Sequence, residues 1–194
     1  MTTLSFLDSS NIHLSDLLTS GKGSKTVSIT DAAKKPIVWQ PNESFRIPFE
    51  PGAFNDPGAS RQSISFSPSE EMEEQLKELD EACITHLARD SVKYFGAEMS
   101  QDAVRERFQS SLKTSAKGYK SMKCKVNVYG KGVAQCYDAD RKPMEQPTEW
   151  TTYKIRPRIL VKGLWMFSRQ VGILFELVAC QLEVEAPSVC ECPF

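Results

Sequence analysis

A chain of 194 residues, 40% hydrophobic and 25% charged, is long enough to fold as one compact domain with its own core. No run of about 20 apolar residues is present, which excludes a membrane-spanning helix, and the start MTTLSFLDSS lacks the basic segment of a secretory signal, so we expect a soluble intracellular protein. The net charge of −1 hides an uneven distribution: residues 105–169 hold 15 Lys or Arg against 5 Asp or Glu, whereas the remainder holds 9 against 20. Such segregation gives one stretch a positive potential that attracts polyanions.

The first 36 residues predict a flexible N-terminal arm. They are rich in Ser, Thr and Gly, so only one short strand is expected there, around Val27 to Ile29. Between 37 and 66, apolar residues alternate with prolines and turn formers, which is typical of short strands joined by loops. The predicted organisation is therefore an arm at 1–36, one folded domain at 37–185 and a short acidic tail at 186–194.

Two helices are predicted in the middle of the chain, at 67–95 and 100–114. Ser67 is the expected capping residue of the first, because proline follows it and a glutamate stands three residues later. Gly96 is expected to end this helix. Its buried face is predicted from apolar residues at three- and four-residue spacing: Met72, Leu76, Leu79, Cys83 and Leu87.

After Lys113 the pattern changes to the period of strands. Residues 122–128 alternate strictly, residues 130–132 form a predicted turn, and residues 133–137 are expected to return as the second strand of a hairpin. Further strands are predicted at 151–155, 159–169 and 172–185. The fold class that we predict is α+β: an OB-like antiparallel β-barrel with two helices packed beside it and a loop-rich N-terminal arm.

Basic residues alternate with aromatic residues along the predicted strands. Unpaired nucleic acid needs cations for its phosphates and flat rings on which its bases stack, so this stretch predicts a binding surface for single strands. Trp165 and Phe167 have two interpretations, because aromatic residues also fill the cores of sheets. The candidate nucleic-acid-binding residues are Lys113, Lys117, Tyr119, Lys120, Lys123, Lys125, Tyr129, Lys131, Tyr153, Lys154, Arg156, Arg158, Lys162, Trp165 and Arg169.

The sequence contains no pattern typical of a catalytic, cofactor or metal site. His13 and His86 have no adjacent nucleophile or carboxylate partner, and no HExxH, GxSxG or dinucleotide-binding pattern occurs. The six cysteines include no CxxC pair, and Cys190 and Cys192 lack the further ligands that a metal would need. We therefore expect reduced thiols, no cofactor, no metal and no enzymatic activity.

Several short motifs between residues 62 and 185 resemble a known family. They are LD at 79–80, ARDS at 88–91, KYFG at 93–96, YKSMKCKV at 119–126, VKG at 161–163 and GILFEL at 172–177. They are similar to the single-stranded DNA-binding proteins of large DNA viruses, which have an OB-type barrel. The resemblance implies protection of unwound DNA during replication, recombination or repair, in the nucleus or at a viral replication site. It points to five residues as the DNA contacts: Tyr119, Lys123, Lys125, Lys162 and Trp165.

The chain closes with an acidic segment that has no basic residue after Arg169 and ends in Pro193 and Phe194. This end is similar to the tips with which bacterial single-strand binders recruit partner proteins. It is therefore a candidate site for replication or repair proteins. The sequence leaves open RNA as the ligand of the same surface, because phosphate and stacking contacts do not detect the 2′-hydroxyl. It also leaves open a non-catalytic protein-interaction or virion structural module, and the oligomeric state.

Overall fold

A computed structural model describes residues 2–4, 9–19, 24–56 and 58–184 of the chain. Within these residues there are three α-helices: α1 (Glu70–Arg89), α2 (Ser91–Phe95) and α3 (Gln101–Arg107). The strands before the helices are β1 (Thr2–Leu4), β2 (His13–Leu14), β3 (Leu18–Thr19), β4 (Lys25–Thr30), β5 (Ile37–Trp39), β6 (Phe45–Arg46) and β7 (Arg61–Phe66). Those after the helices are β8 (Phe108–Gln109), β9 (Leu112–Thr114), β10 (Lys120–Asn127), β11 (Gln135–Tyr137), β12 (Pro143–Met144), β13 (Tyr153–Phe167) and β14 (Gln170–Val184).

Two long antiparallel strands, β13 and β14, form the centre of the sheet. A tight turn joins them at Ser168 and Arg169, which both have positive φ. Three short strands, β6, β5 and β4, pair one after another with the edge of β13 that faces away from β14. In the same way, β8, β10 and β11 pair with the edge of β14 that faces away from β13. The predicted strands at 151–155 and 159–169 are thus largely one strand, which begins after a 3₁₀ turn at Trp150–Thr152.

The sheet is mixed, not antiparallel as the sequence predicted. The pairs β1 with β5, β8 with β14, β10 with β14 and β11 with β14 are parallel. Sequence alternation specifies which face of a strand is buried, but it does not specify the direction of the neighbour. The α+β class is confirmed. The pairings among the described residues follow the order β1, β5, β13, β14, β10, β7 and have two ends, so closure into an OB-like barrel stays a prediction.

The predicted hairpin at 122–137 is wrong. β10 and β11 do not pair with each other; they lie end to end along the same edge of β14, with Lys125 opposite Glu176 and Cys136 opposite Cys180. Residues 128–134 leave the edge and return to it, and the amide of Ala134 donates to the carbonyl of Asn127 across this excursion. The glycines at 130 and 132 have positive φ as a turn requires, but the chain resumes its original direction.

The inner face of the sheet is covered by α1. Met72, Leu76, Leu79, Cys83 and Leu87 are all buried in the core, as predicted. Helix entry differs from the prediction by two residues, because Ser69 rather than Ser67 is the cap: its hydroxyl accepts a hydrogen bond from the amide of Met72. The single helix predicted at 67–95 is divided at Asp90, where α1 ends and α2 begins. Gly96 therefore ends α2, in the left-handed conformation, and not the long helix that was predicted.

The second predicted helix is too long at its C-terminal end. α3 stops at Arg107, and the residues predicted to continue it pair as β8 and β9 instead. Between these two strands the buried carboxylate of Asp80 on α1 accepts hydrogen bonds from the Ser110 hydroxyl (3.0 Å), the Ser111 amide (2.9 Å) and the Ser111 hydroxyl (2.6 Å). Serine side chains and free amides that find such a tertiary acceptor favour non-helical backbone over a further helical turn.

The described part of residues 1–36 contains four strands, β1 to β4, where one was expected, and they pair with one another or with the rest of the sheet; the flexible arm stays a prediction. The predicted strand around Val27 exists as β4, and its alternate side chains are buried together with Ile12 and Leu14. β4 crosses β13 at Gly163, where a Cβ would lie 2.2 Å from the carbonyl oxygen of Val27. A few apolar residues at alternate positions thus suffice to attach β4 to the sheet, although the apolar content of the segment is low. The boundaries at residues 36 and 185 stay predictions.

In the described residues, no helix combines the length and apolarity needed to cross a membrane. Across the same residues, no three His, Cys, Asp or Glu side chains come together in a way that could hold a metal ion. Cys190, Cys192, Pro193 and Phe194 lie outside the described residues.

Candidate nucleic-acid interface

The outer face of β13, opposite the core, carries most of the basic residues predicted on this strand. Ile155, Ile159 and Val161 point into the core, so the residues between them point outward. A shift of register at Gly163 moves the outward positions from even to odd numbers. The outward side chains of β13 are Lys154, Arg156, Arg158, Leu160, Lys162, Trp165 and Phe167.

The outer face continues across β14 onto β10. Glu176 of β14 lies opposite both Leu160 of β13 and Lys125 of β10, so all three side chains share one side of the sheet. Lys123 lies two residues before Lys125 on β10 and points the same way. Sequence alternation had predicted this common face for Lys123 and Lys125.

Trp165 and the lysines of β9 and β10 meet in one cleft of about 340 Å³, which we call the Trp165 cleft. Its walls include Lys113, Lys123, Lys125 and the indole of Trp165, and its other lining residues are uncharged. The indole packs against Gly172 on the neighbouring strand, where a Cβ would lie 2.9 Å from Cζ2 of the ring. Trp165 is therefore not a core residue; it is a half-buried ring on the outer face with cations beside it.

One carboxylate, Glu176, organises the cations of this face. Its Oε2 accepts from Nζ of Lys162 at 2.7 Å and from Nη2 of Arg61 at 2.9 Å, and its side chain is only 13% exposed. Burial acts to raise the pKa of Glu176, but the hydrogen bond from Lys162 and the charge of Arg61 outweigh it and the pKa is lowered. A carboxylate held ionised in this way fixes two cations in place and cancels part of their charge.

Lys125 is the most enclosed lysine of the Trp165 cleft. Its Nζ donates to Oγ of Ser63 on β7 at 2.9 Å. Burial, then the charges of Lys123 and Arg61, lower its pKa, because each of them disfavours the ammonium form. An anion in the cleft would relieve this repulsion.

Sequence reasoning missed Arg61. The signal was available, because residues 61–66 (RQSISF) alternate: Ile64 and Phe66 are buried, so Arg61, Ser63 and Ser65 share the other side. Arg61 was not selected because it lies outside the basic stretch in sequence, and only the pairing of β7 with β10 brings it to the outer face.

Several candidates lie away from this face. Lys120 points to the helix side, where its ammonium pairs with Glu73 of α1. Lys117 and Tyr119 stand at the turn between β9 and β10, where Tyr119 is 73% exposed. Tyr129 and Lys131 belong to the excursion at 128–134, and the Tyr129 hydroxyl bonds to the carbonyl of Gly58.

Three candidates lie near the ends of β13. Tyr153, the first residue of β13, packs against the core. Lys154 lies opposite Glu183 on β14. At the other end Arg169 stands in the turn after β13, two residues beyond Phe167, which is 72% exposed and thus also not in the core.

The comparisons with known proteins give a family and a set of distant structures. Residues 58–193 match the sequence profile of a family described as "Family of unknown function (DUF5871)". No curated protein matches the chain. Among solved structures, the chain is similar to gp2.5, a single-stranded DNA-binding protein encoded by bacteriophage T7, with 13% identity, 82% of this chain and 97% of that chain covered, and a TM-score of 0.49.

The chain is also similar to the single-stranded DNA-binding protein from bacteriophage Enc34, solved in complex with ssDNA. The identity is 13%, the coverage is 90% of this chain and 93% of that chain, and the TM-score is 0.43. Both are bacteriophage proteins, and the likeness of the chain to the family of large DNA viruses stays a prediction. Similarity at this level decides neither the fold nor the function of the chain.

Proposed function

The chain belongs to DUF5871, a family of unknown function, and we propose that it binds single-stranded DNA without sequence preference through the outer face of its sheet. In this proposal the protein binds and protects unwound DNA during replication, recombination or repair, and it carries out no catalysis. Its place of action is inside the cell, in the nucleus or at a viral replication site.

The observation that carries the proposal is the Trp165 cleft. A half-buried indole and the ammonium groups of Lys113, Lys123 and Lys125 line the same depression. Lysines replace the counterions of phosphates, and an exposed ring face provides about 1–3 kcal/mol for each base that stacks on it. Since every base has a flat face, such contacts bind a strand whatever its sequence.

The same cleft favours single strands over duplexes. A base stacks on Trp165 only if it has left its own stack, which paired bases do not do without cost. Proteins that read duplexes more often place a basic helix in the major groove. Here α1 begins with the acidic residues Glu70, Glu71 and Glu73. Helix α3 has only seven residues, of which Arg105 and Arg107 are basic. Arg105 is paired with Glu81 and Asp102.

Fluorescence anisotropy with a labelled oligo-dT tests the proposal. We expect binding that weakens linearly in log affinity with log salt concentration, because each neutralised phosphate releases counterions. Replacing Trp165 by Ala should lower the affinity by about 5- to 150-fold, the equivalent of one stacked base, whereas Trp165→Phe should retain part of the binding.

Lys77→Ala is the matched control, because Lys77 lies on α1 and its side chain is largely exposed. Absence of oligo-dT binding at low salt would end the proposal. A competitor RNA of the same length decides whether the ligand is DNA or RNA. Tight binding to a protein partner that is insensitive to Trp165→Ala, with no binding of polyanions, would instead favour an interaction or virion structural module.

A further inference from the structure

A second cleft of about 370 Å³ lies on the outer face at the opposite end of β13 from Trp165. The strand pairings place two rows of residues side by side along this cleft. Tyr137 on β11, Gln181 on β14 and Arg156 on β13 form the first row. Ala179 on β14 and Arg158 on β13 form the second, and the small side chain of Ala179 leaves the space between the rows open.

A third arginine reaches this cleft from the loop between β11 and β12. Arg141 has a φ of 64°, in the left-handed region, and its amide donates to the carbonyl of Asp138 at 3.0 Å. The carboxylate of Asp138 accepts from the amide of Lys142 at 2.8 Å, and the amide of Asp138 donates to the carbonyl of Lys142 at 3.0 Å. Three hydrogen bonds thus hold a backbone conformation that a side-chain-bearing residue rarely adopts.

Arg156 is also held in place. Its Nη2 donates to Oδ1 of Asn42 at 3.2 Å and its Nε to the carbonyl of Pro41 at 3.4 Å. Both partners are neutral, so they orient the guanidinium and leave its charge uncancelled. An oriented guanidinium loses little side-chain freedom when it binds an oxyanion.

The lining of this cleft has three positive charges and, among its described lining residues, no negative one. The acidic residues nearest to Arg141 in sequence have other partners. The carboxylate of Asp138 accepts from the amide of Lys142, and Oδ2 of Asp140 lies 3.7 Å from Nζ of Lys142. Guanidinium groups that line one cleft suit the oxygens of phosphate, because a guanidinium can donate two parallel hydrogen bonds to them. The Trp165 cleft differs, because it combines lysines with a ring.

We infer that Arg141, Arg156 and Arg158 form a second subsite that binds a phosphate group. The inference deepens the proposed function and rests on it for the identity of the ligand, which is a phosphodiester of the strand that also occupies the Trp165 cleft. Arg158 and Trp165 are seven residues apart on β13, about 23 Å at ~3.3 Å per residue. A strand stacked at ~3.4 Å per nucleotide covers this distance with about seven nucleotides.

The length of the strand therefore provides the test. Anisotropy is measured with an oligo-dT of about twelve nucleotides, which reaches both clefts, and with one of about four, which does not. Arg141→Ala should weaken binding of the long oligomer by about tenfold, the equivalent of one charged hydrogen-bond contact, and lower its salt slope by about 1. The short oligomer, held at Trp165, should lose much less.

Lys142→Ala is the matched control, because Lys142 is the next residue, is exposed and does not line the cleft. Arg141→Lys keeps the charge but not the fork of donors, so it should restore only part of the affinity. Equal losses for Arg141→Ala and Lys142→Ala, or equal losses for the long and the short oligomer, would overturn the inference.

Thermal-shift measurements with inorganic phosphate and with a nucleoside triphosphate test whether the subsite binds a free phosphate or a phosphodiester of the strand. If Arg141→Ala abolishes a shift caused by these small ligands while long oligo-dT binding is unchanged, the subsite stands and its ligand is a free phosphate. If the wild-type protein shows that shift but binds no oligo-dT, the proposed function fails and the subsite survives. Absence of any effect of Arg141→Ala on all these ligands refutes the subsite alone.

Discussion

Trp165 packs its indole against Gly172, its partner across β13 and β14, and the position has no room for a Cβ, which would lie 2.9 Å from the ring. A glycine opposite a tryptophan on the outer face of a sheet keeps the ring close to the backbone. One side of the indole is thereby covered, while the ring still lines the cleft that contains Lys113, Lys123 and Lys125.

Gly172→Ala should displace the indole and weaken binding to oligo-dT by about 5- to 150-fold, as removal of the ring does. Because both changes act through the same ring, the double variant Gly172→Ala with Trp165→Ala should bind no more weakly than Trp165→Ala alone. Anisotropy on the four proteins checks this. Additive losses would show that Gly172 acts independently of Trp165.

Glu176→Gln should strengthen binding to oligo-dT by a few-fold, since Arg61 and Lys162 would no longer be partly neutralised. It should also steepen the salt dependence, because more cationic charge is available to phosphates. The same change should cost about 1 kcal/mol of stability through loss of the two ion pairs. Weaker binding would mean that Glu176 acts chiefly by orienting the two cations.

The stability difference between the wild type and Glu176→Gln should depend on pH. The folded pKa of Glu176 is below its ordinary value of 4.5, so its ionised form stabilises the fold above that value and this contribution is lost as the pH falls through the folded pKa. Urea unfolding should therefore give a constant difference near neutral pH and a vanishing one in acid. A difference that persists in acid would assign the stabilisation to packing.

Asp80→Ala should destabilise the fold by about 2–3 kcal/mol, because three donors on Ser110 and Ser111 would lose a buried carboxylate acceptor. These serines line the Trp165 cleft next to Lys113, so oligo-dT binding should weaken as well. Chemical unfolding and anisotropy measure the two effects. Glu78→Ala, on the exposed side of α1, is the control and should change neither.

Gly163→Ala should destabilise the protein by about 2 kcal/mol or more, since its Cβ would collide with the Val27 carbonyl oxygen at 2.2 Å. The collision separates β4 from β13, so hydrogen exchange should increase at residues 25–30 before it increases in β14. Unchanged protection of β4 would contradict the attachment of the N-terminal residues to the sheet.

The sequence by itself determined the features that depend on local pattern. Helix α1 and its buried face follow from apolar spacing, and the shared outward direction of Lys123 and Lys125 follows from alternation. The α+β class follows from the same two periods. The concentration of positive charge in residues 105–169 is a property of composition, and it indicated a polyanion as ligand before any pairing was known.

Only the tertiary structure decided which of those residues share a surface. It put β10 and β11 end to end along β14, turned Lys120 toward α1, and brought Arg61 and Arg141 to the outer face. It also placed Trp165 outside the core, against Gly172. The physical reason is that alternation fixes the two faces of each strand, whereas the neighbour, direction and register of a strand depend on packing between residues far apart in sequence.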